Sequence, residues 1–153
     1  MRINNEEAIQ KAKEYAFLLL KFRLRSENEL RDRLRRKQFD SNVISQVVDF
    51  LKEKEFIDDE KFSKAWIKSR INRKLGLRRI CSELKLKGIS KKIIDSQVKK
   101  VASDYSESEV VKSIVEERLS KLKGIDPQVV KRRIYGYLLR RGFSPEIIYE
   151  ALS

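Results

Sequence analysis

Residues 29–51 read ELRDRLRRKQFDSNVISQVVDFL, and the same frame returns without gaps as RICSELKLKGISKKIIDSQVKKV at 79–101 and RIYGYLLRRGFSPEIIYEALS at 133–153. Leu30, Ile80 and Ile134 correspond, as do Leu34, Leu84 and Leu138, then Phe39, Ile89 and Phe143. The next residue is Asp40, Ser90 or Ser144, each able to accept a hydrogen bond from the free amides that open a helix. Beyond it, Val43, Ile44, Val47, Val48 and Leu51 recur at the i, i+1, i+4, i+5 spacing of one helical face, and the other copies repeat it. A repeat of about 50 residues built from helices is the sequence signature of a tandem array.

A further helical pattern precedes each copy. Ile9, Ala12, Ala16 and Leu19 share a face in the first, Phe62, Ala65, Trp66 and Ser69 in the second, and Val110, Val111, Ile114, Val115, Leu119 and Leu122 in the third. Each repeat is thus three helices, and no alternating strand pattern competes. Gly76, Gly88, Gly124 and Gly142 lie between helices, where a left-handed residue can end one, while Pro127 and Pro145 occupy first-turn positions. The expectation is an all-α protein, an elongated tandem array of three three-helix repeats over residues 1–57, 58–102 and 103–153. Such repeats need no dimer to complete a core, so a monomer is expected.

Asp58-Asp59-Glu60 stand in a row at the start of the second repeat. They could be read as a metal or acid/base site, yet adjacent acids on a helix point in different directions and have no His or Cys beside them. Their place before Phe62 makes them the opening of a helix, where acids cap amides and oppose the positive end of the dipole. Ser106 to Glu109 and Ser26 to Glu29 repeat that punctuation as Ser-x-x-Glu capping boxes.

The chain has no His, one Cys, no Gly-x-Ser-x-Gly elbow and no Gly-rich phosphate loop ending in Lys-Ser/Thr. That removes the commonest general base and transition-metal ligand, so the chain is read as a binding protein and not an enzyme, with no catalytic residue, metal or cofactor. Cys81 reads as a small core residue in a reducing compartment. AFLLL at 16–20 is the longest apolar run and is far below the roughly 20 residues of a membrane span. The opening Met1-Arg2 leads into polar residues, NNEEAIQKAKEY at 4–15, in place of an export signal, so a cytoplasmic address with no membrane contact is expected.

Charge points to the partner. The chain carries 36 Lys and Arg against 23 Asp and Glu, net +13, and residues 58–102 hold fourteen of the bases and five of the acids. A run of charge on one helix is ordinarily a solvated face, but this concentration costs self-repulsion and reads as a surface for phosphates or carboxylates. The densest cluster is Arg70, Arg73, Lys74, Arg78 and Arg79; a second comprises Arg31, Arg33, Arg35, Arg36 and Lys37, and a third Lys131, Arg132, Arg133, Arg140 and Arg141. Six phosphate contacts would give a log–log salt slope of about −4 to −5. Trp66, Tyr15 and Tyr105 could stack bases, but at helical spacing they read as core or groove residues.

LRSENELRDRLRRKQF carries a Ser26-x-x-Glu29-Leu30 segment, and VVDFLKEKEFIDDEKFSKAWIKSR carries Ile57-Asp58-Asp59 followed by Phe62. GLRRICSELKLKGISKKII carries Gly76, Ile80, Glu83, Leu84, Lys87, Gly88 and Ile89. Together these three segments resemble the bacterial RecX family of regulatory proteins, with Ser63 standing where the family usually has Ala. The resemblance implies a protein that binds the RecA recombinase filament on DNA and restrains its assembly, ATP hydrolysis, strand exchange and SOS co-protease activity. Direct contact with single- or double-stranded DNA is the alternative, as a helix-turn-helix-like module. For that role the third helix of the first repeat offers Asn42, Ser45 and Gln46 between Asp40 and Asp49, a poor base reader.

Overall fold

The computed structural model describes residues 4–153; the Met1-Arg2 opening lies outside them. Among the described residues there are nine helices and no strand: α1 (Asn5–Phe22), α2 (Glu27–Arg36), α3 (Ser41–Glu53), α4 (Asp59–Asn72), α5 (Leu77–Leu86), α6 (Lys91–Ala102), α7 (Glu107–Lys121), α8 (Pro127–Arg140) and α9 (Pro145–Leu152).

The helices begin where small polar side chains can accept free amides. Ser90 accepts the Ile93 N–H, Ser144 the Ile147 N–H and Ser106 the Glu109 N–H. At Ser26 both halves of a capping box are present, with the Glu29 carboxylate accepting the Ser26 N–H in return. Asp40 occupies the capping position of α3 without a side-chain cap hydrogen bond. Asp58 accepts the N–H groups of both Glu60 and Lys61, so the acid cluster is punctuation.

Three of the expected chain-reversing glycines, Gly88, Gly124 and Gly142, have positive φ, and Gln38, Glu55 and Lys74 adopt the same left-handed conformation without being glycine. Gly76 departs from the expectation. Its φ is −77°, it caps α5 in an extended conformation, and it is glycine for lack of space: a Cβ there would lie 2.1 Å from the Gly142 carbonyl oxygen.

Each triplet closes on its own apolar core. Leu30, Leu34, Val47, Val48 and Leu51 are fully buried in the first, Ile67, Ile80 and Leu84 in the second, and Leu138, Phe143 and Ile148 lie in the third. The extensive helix–helix contacts all fall within a triplet. The body is correspondingly elongated, exposing 10495 Å² where a compact chain of its 18.1 kDa exposes roughly 8,100 Å².

Two details of the expected faces are corrected. On α4 the buried residues are Phe62, Ser63 and Ile67, while Ala65 and Ser69 face solvent. The inward stripe falls at i, i+1 and i+5, and the partly buried Trp66 at i+4 and Ile71 flank it. Leu119 of α7, expected inside, is 46% exposed near the end of its helix.

Candidate anion-binding interface

The units join by hydrogen bonds between helix ends. At the first joint the Asp59 carboxylate accepts the N–H of Glu27, the opening residue of α2, at 2.9 Å. At the second the Glu107 carboxylate accepts the N–H of Leu77, the opening residue of α5, at 3.1 Å. In both cases the first residue of one triplet caps the second helix of the triplet before it. The acids therefore serve two helices, because Asp59 and Glu107 also open α4 and α7, where the dipole favours them.

Around these caps, the residues preceding α2 and α5 meet the ends of α5 and α8. The Ser26 hydroxyl donates to the Lys87 carbonyl at 2.7 Å, and at the second joint the Gly76 N–H donates to the Arg141 carbonyl at 2.8 Å. The Tyr105 hydroxyl adds a bond to the Leu75 carbonyl at 2.8 Å; burial, then Glu107, pushes its pKa up to about 12, so it remains a donor. Arg141 donates to the Arg73 carbonyl.

The two joints form equivalent clefts, both lined by more bases than acids, and differ in that the first holds acidic side chains while the second holds none. The first, about 240 Å³, places Glu29 and Asp32 among Arg23, Arg25, Arg33 and Arg36. The Glu29 carboxylate accepts from Arg23 at 2.6 Å and from Lys87 at 3.1 Å. Burial opposes ionisation of Glu29, but hydrogen bonds from Arg23, the Ser26 amide and Lys87 outweigh it and bring its pKa to about 2. The repeat frame replaces Glu29 by Arg79 and Asp32 by Ser82 in the second cleft. That cleft, about 300 Å³, is lined by Arg78, Arg79 and Arg140 beside Ser82, Leu139 and Phe143, with no acidic side chain in its wall. Arg79 also donates to the Arg140 carbonyl at 3.3 Å, which fixes two of the three guanidinium-bearing residues against each other.

The expected basic residues therefore divide. Arg78, Arg79 and Arg140 come together, and exposed Arg73 and Lys74 belong to the chain leading into that joint. Arg70 is engaged elsewhere: its guanidinium is 3.0 Å from Glu83, lies 4.1 Å from the centre of the Trp66 ring, and is 18% exposed. Arg141 is half-buried in the joint itself. Arg31 pairs with Glu27 at 3.1 Å and Arg35 with Asp32 at 2.9 Å, whereas Arg36 stands exposed on the wall of the first cleft. Arg132 and Arg133 are exposed on α8, Arg132 in a separate cleft of the third unit.

The aromatic residues follow the core-or-groove reading. Trp66 stacks on Phe62 with centroids 5.8 Å apart, and Tyr15 accepts from Arg33 at 3.3 Å. Sequence reasoning missed the double duty of Asp59 and Glu107, whose amide partners lie 32 and 30 positions away. It also missed Leu86, 84% exposed between two clefts. No local pattern marks either feature.

A tandem array of three three-helix units defines an all-helical repeat protein. Family profiles described as the first, second and third three-helix domains of RecX match residues 12–51, 58–96 and 106–152. The chain belongs to the RecX family of regulatory proteins. It is 34% identical over 150 residues to the regulatory protein RecX of Amycolatopsis mediterranei, covering 97% of this chain and 85% of that one. It is 33% identical over 140 residues to the RecX of Chlorobium limicola, covering 91% and 86%. The crystal structure of RecX from Lactobacillus salivarius shares the fold with a TM-score of 0.82 at 22% identity, over 96% of each chain. A second RecX crystal structure gives the same TM-score at 17% identity, over 95% of this chain and 73% of that one.

Among the described residues no helix is long and apolar enough to cross a membrane.

Proposed function

We propose that this protein binds the RecA nucleoprotein filament and inhibits its assembly, ATP hydrolysis, strand exchange and co-protease activity. Family membership supports a regulatory role, and RecA is the partner that the resemblance implies. The observation that carries the contact is the acid-free cleft of Arg78, Arg79 and Arg140 on an elongated basic body. Three guanidinium groups at one inter-unit joint form a donor array for carboxylates or phosphates spaced along a polymer. A body of three units in line, with helices roughly 12 to 27 Å long, reaches more than one subunit of such a polymer.

The units bounded at 57 and 102 divide the work. The second and third contribute the cleft and the first extends the contact through Arg36. The remaining candidates are assigned by exposure and pairing: Arg73, Lys74 and Arg133 surround the contact, exposed Arg35 is held by Asp32, and half-buried Arg31, Arg70 and Arg141 shape the surface through their bonds within the protein.

The test is single-stranded-DNA-dependent ATP hydrolysis by RecA, titrated with the protein and with a variant in which Arg78, Arg79 and Arg140 are all Ala. Inhibition by the first that weakens at least tenfold in the second supports the proposal. Unchanged inhibition in the variant removes the cleft from the interface. Absence of inhibition by the unaltered protein, with salt-sensitive binding to bare duplex, favours the DNA-binding module instead.

A further inference from the structure

The third unit holds a cleft that the arginine joint does not use. Gln128, Lys131, Arg132 and Tyr135 follow one another at i, i+3, i+4 and i+7 along one face of α8, and Tyr149 faces them from α9. The cleft measures about 470 Å³, within the range of small-ligand sites, and no Asp or Glu side chain lines it. The Tyr135 and Tyr149 rings lie 5.1 Å apart at 39°. Tyr135 is half-buried against the core of its unit, whereas Tyr149 is 62% exposed and keeps ring surface free to solvent.

The fold does not require this pair. At the corresponding repeat positions the first unit has Arg31 and Ser45 and the second has Cys81 and Asp95, and both units close their cores without tyrosine there. The wall is also particular to the third unit: α8 has 14 residues where α2 and α5 have 10, and its additional first turn, opened by Pro127, carries Gln128.

We propose that this cleft is a subsite for single-stranded nucleic acid, in which an unpaired base stacks on Tyr149 and the adjoining phosphates lie against Lys131 and Arg132. An exposed aromatic face beside two cations and an amide suits a nucleotide, whose base is planar and whose linkage is anionic. A duplex keeps its base faces inside the stack, so it can offer only phosphates here. Gln128 supplies a donor and acceptor for a base edge without commanding one base. The site works in the absence of RecA and stands apart from the proposed filament contact.

Fluorescence anisotropy of a labelled oligothymidylate, with no RecA present, tests this directly. A matched abasic oligomer and a duplex serve as comparisons. Tyr149→Ala should weaken oligothymidylate binding by about 5- to 150-fold, the range of one lost base stack. Tyr149→Phe should bind as the unaltered protein does, and Tyr149→Ala should leave abasic and duplex binding within twofold. Lys131→Ala and Arg132→Ala should each lower the log–log salt slope by about 1. Far-ultraviolet circular dichroism establishes that each variant is folded. The inference is overturned if folded Tyr149→Ala binds oligothymidylate normally, if the abasic oligomer binds the unaltered protein as tightly as oligothymidylate, or if no single-strand binding occurs.

Discussion

The Asp59 carboxylate holds the Glu27 amide at 2.9 Å across 32 positions of chain, so the first residue of the second unit completes a helix of the first. Burial raises the Asp59 pKa above its ordinary value, which means that the bond needs the oxygen while the charge itself is a burden at this place. Asp59→Ala should therefore lose about 1 kcal/mol, the worth of a helix cap. Asp59→Asn, which keeps the accepting oxygen, should fall within about 0.5 kcal/mol of the unaltered protein. Urea unfolding at neutral pH followed by circular dichroism separates them, and equal loss in both variants would show that the charge matters more than the acceptor.

Glu29 shows the opposite balance. Its pKa of about 2 lies below the ordinary 4.5 because hydrogen bonds from Arg23, Ser26 and Lys87 overcome the effect of burial. A folded-state carboxyl that is the stronger acid stabilises the protein fully above pH 4.5, and that stabilisation disappears as pH falls toward 2. The unfolding free energy of Glu29→Gln should lie below that of the unaltered protein near neutrality, by on the order of 2 kcal/mol, and the two stability-versus-pH curves should converge in that acid window. A gap that persists unchanged to pH 2 would assign the loss to packing.

Gly76 and Gly136 should respond to alanine in opposite ways. At Gly76 a Cβ would meet the Gly142 carbonyl oxygen at 2.1 Å and the Phe143 nitrogen at 2.6 Å, both backbone atoms of the facing unit. The substitution has to part the second joint, at about 3 kcal/mol or more, while the separate cores preserve helix content. Small-angle scattering should show a changed radius of gyration with an almost unchanged helical signal. At Gly136, inside α8, a Cβ would approach only the flexible end of Arg140 at 3.3 Å, and alanine should stabilise by about 0.5–1 kcal/mol.

The helical frame was legible because apolar spacing and cap residues act within a few positions of each other. Ser90 and Ser144 open helices at the places their sequence positions mark, and Ile80, Leu84 and Ile134 are buried in register. Apolar spacing could not choose between two adjoining faces of α4, since Phe62 and Trp66 satisfy one and Phe62, Ser63 and Ile67 the other, and packing decides. The joints were illegible for a different reason. A carboxylate bonded to an amide 30 positions away leaves no local periodicity, and Asp59 and Glu107 both look like first-turn acids of their own helices. The basic clusters were visible as charge, but which arginines are free depends on partners such as Glu83 that only the tertiary structure brings near.

Arg70 gives the sharpest test of that last distinction. In sequence it belongs with Arg73, Lys74, Arg78 and Arg79, yet its guanidinium is held between the Glu83 carboxylate at 3.0 Å and the Trp66 ring at 4.1 Å and does not line the arginine cleft. Losing it leaves Glu83 with only Arg79, 4.0 Å away, and uncovers one face of the indole. Arg70→Ala should accordingly destabilise by about 1–2 kcal/mol, combining a partly buried ion pair with a cation–π contact. Lys in its place restores the charge without the planar stack or the fork geometry, so Arg70→Lys should recover less than half of that loss. Both variants, assayed well below their melting temperatures, should inhibit RecA-dependent ATP hydrolysis as the unaltered protein does. Replacing Arg78, Arg79 and Arg140 together should do the reverse, weakening inhibition at least tenfold, while Arg78→Ala and Arg140→Ala each change stability by no more than about 0.5 kcal/mol and Arg79→Ala, which gives up its bond to the Arg140 carbonyl, by about 1 kcal/mol. If Arg70→Lys were instead fully stable and non-inhibitory, Arg70 would belong to the interface and the division between framework and contact arginines would have to be redrawn.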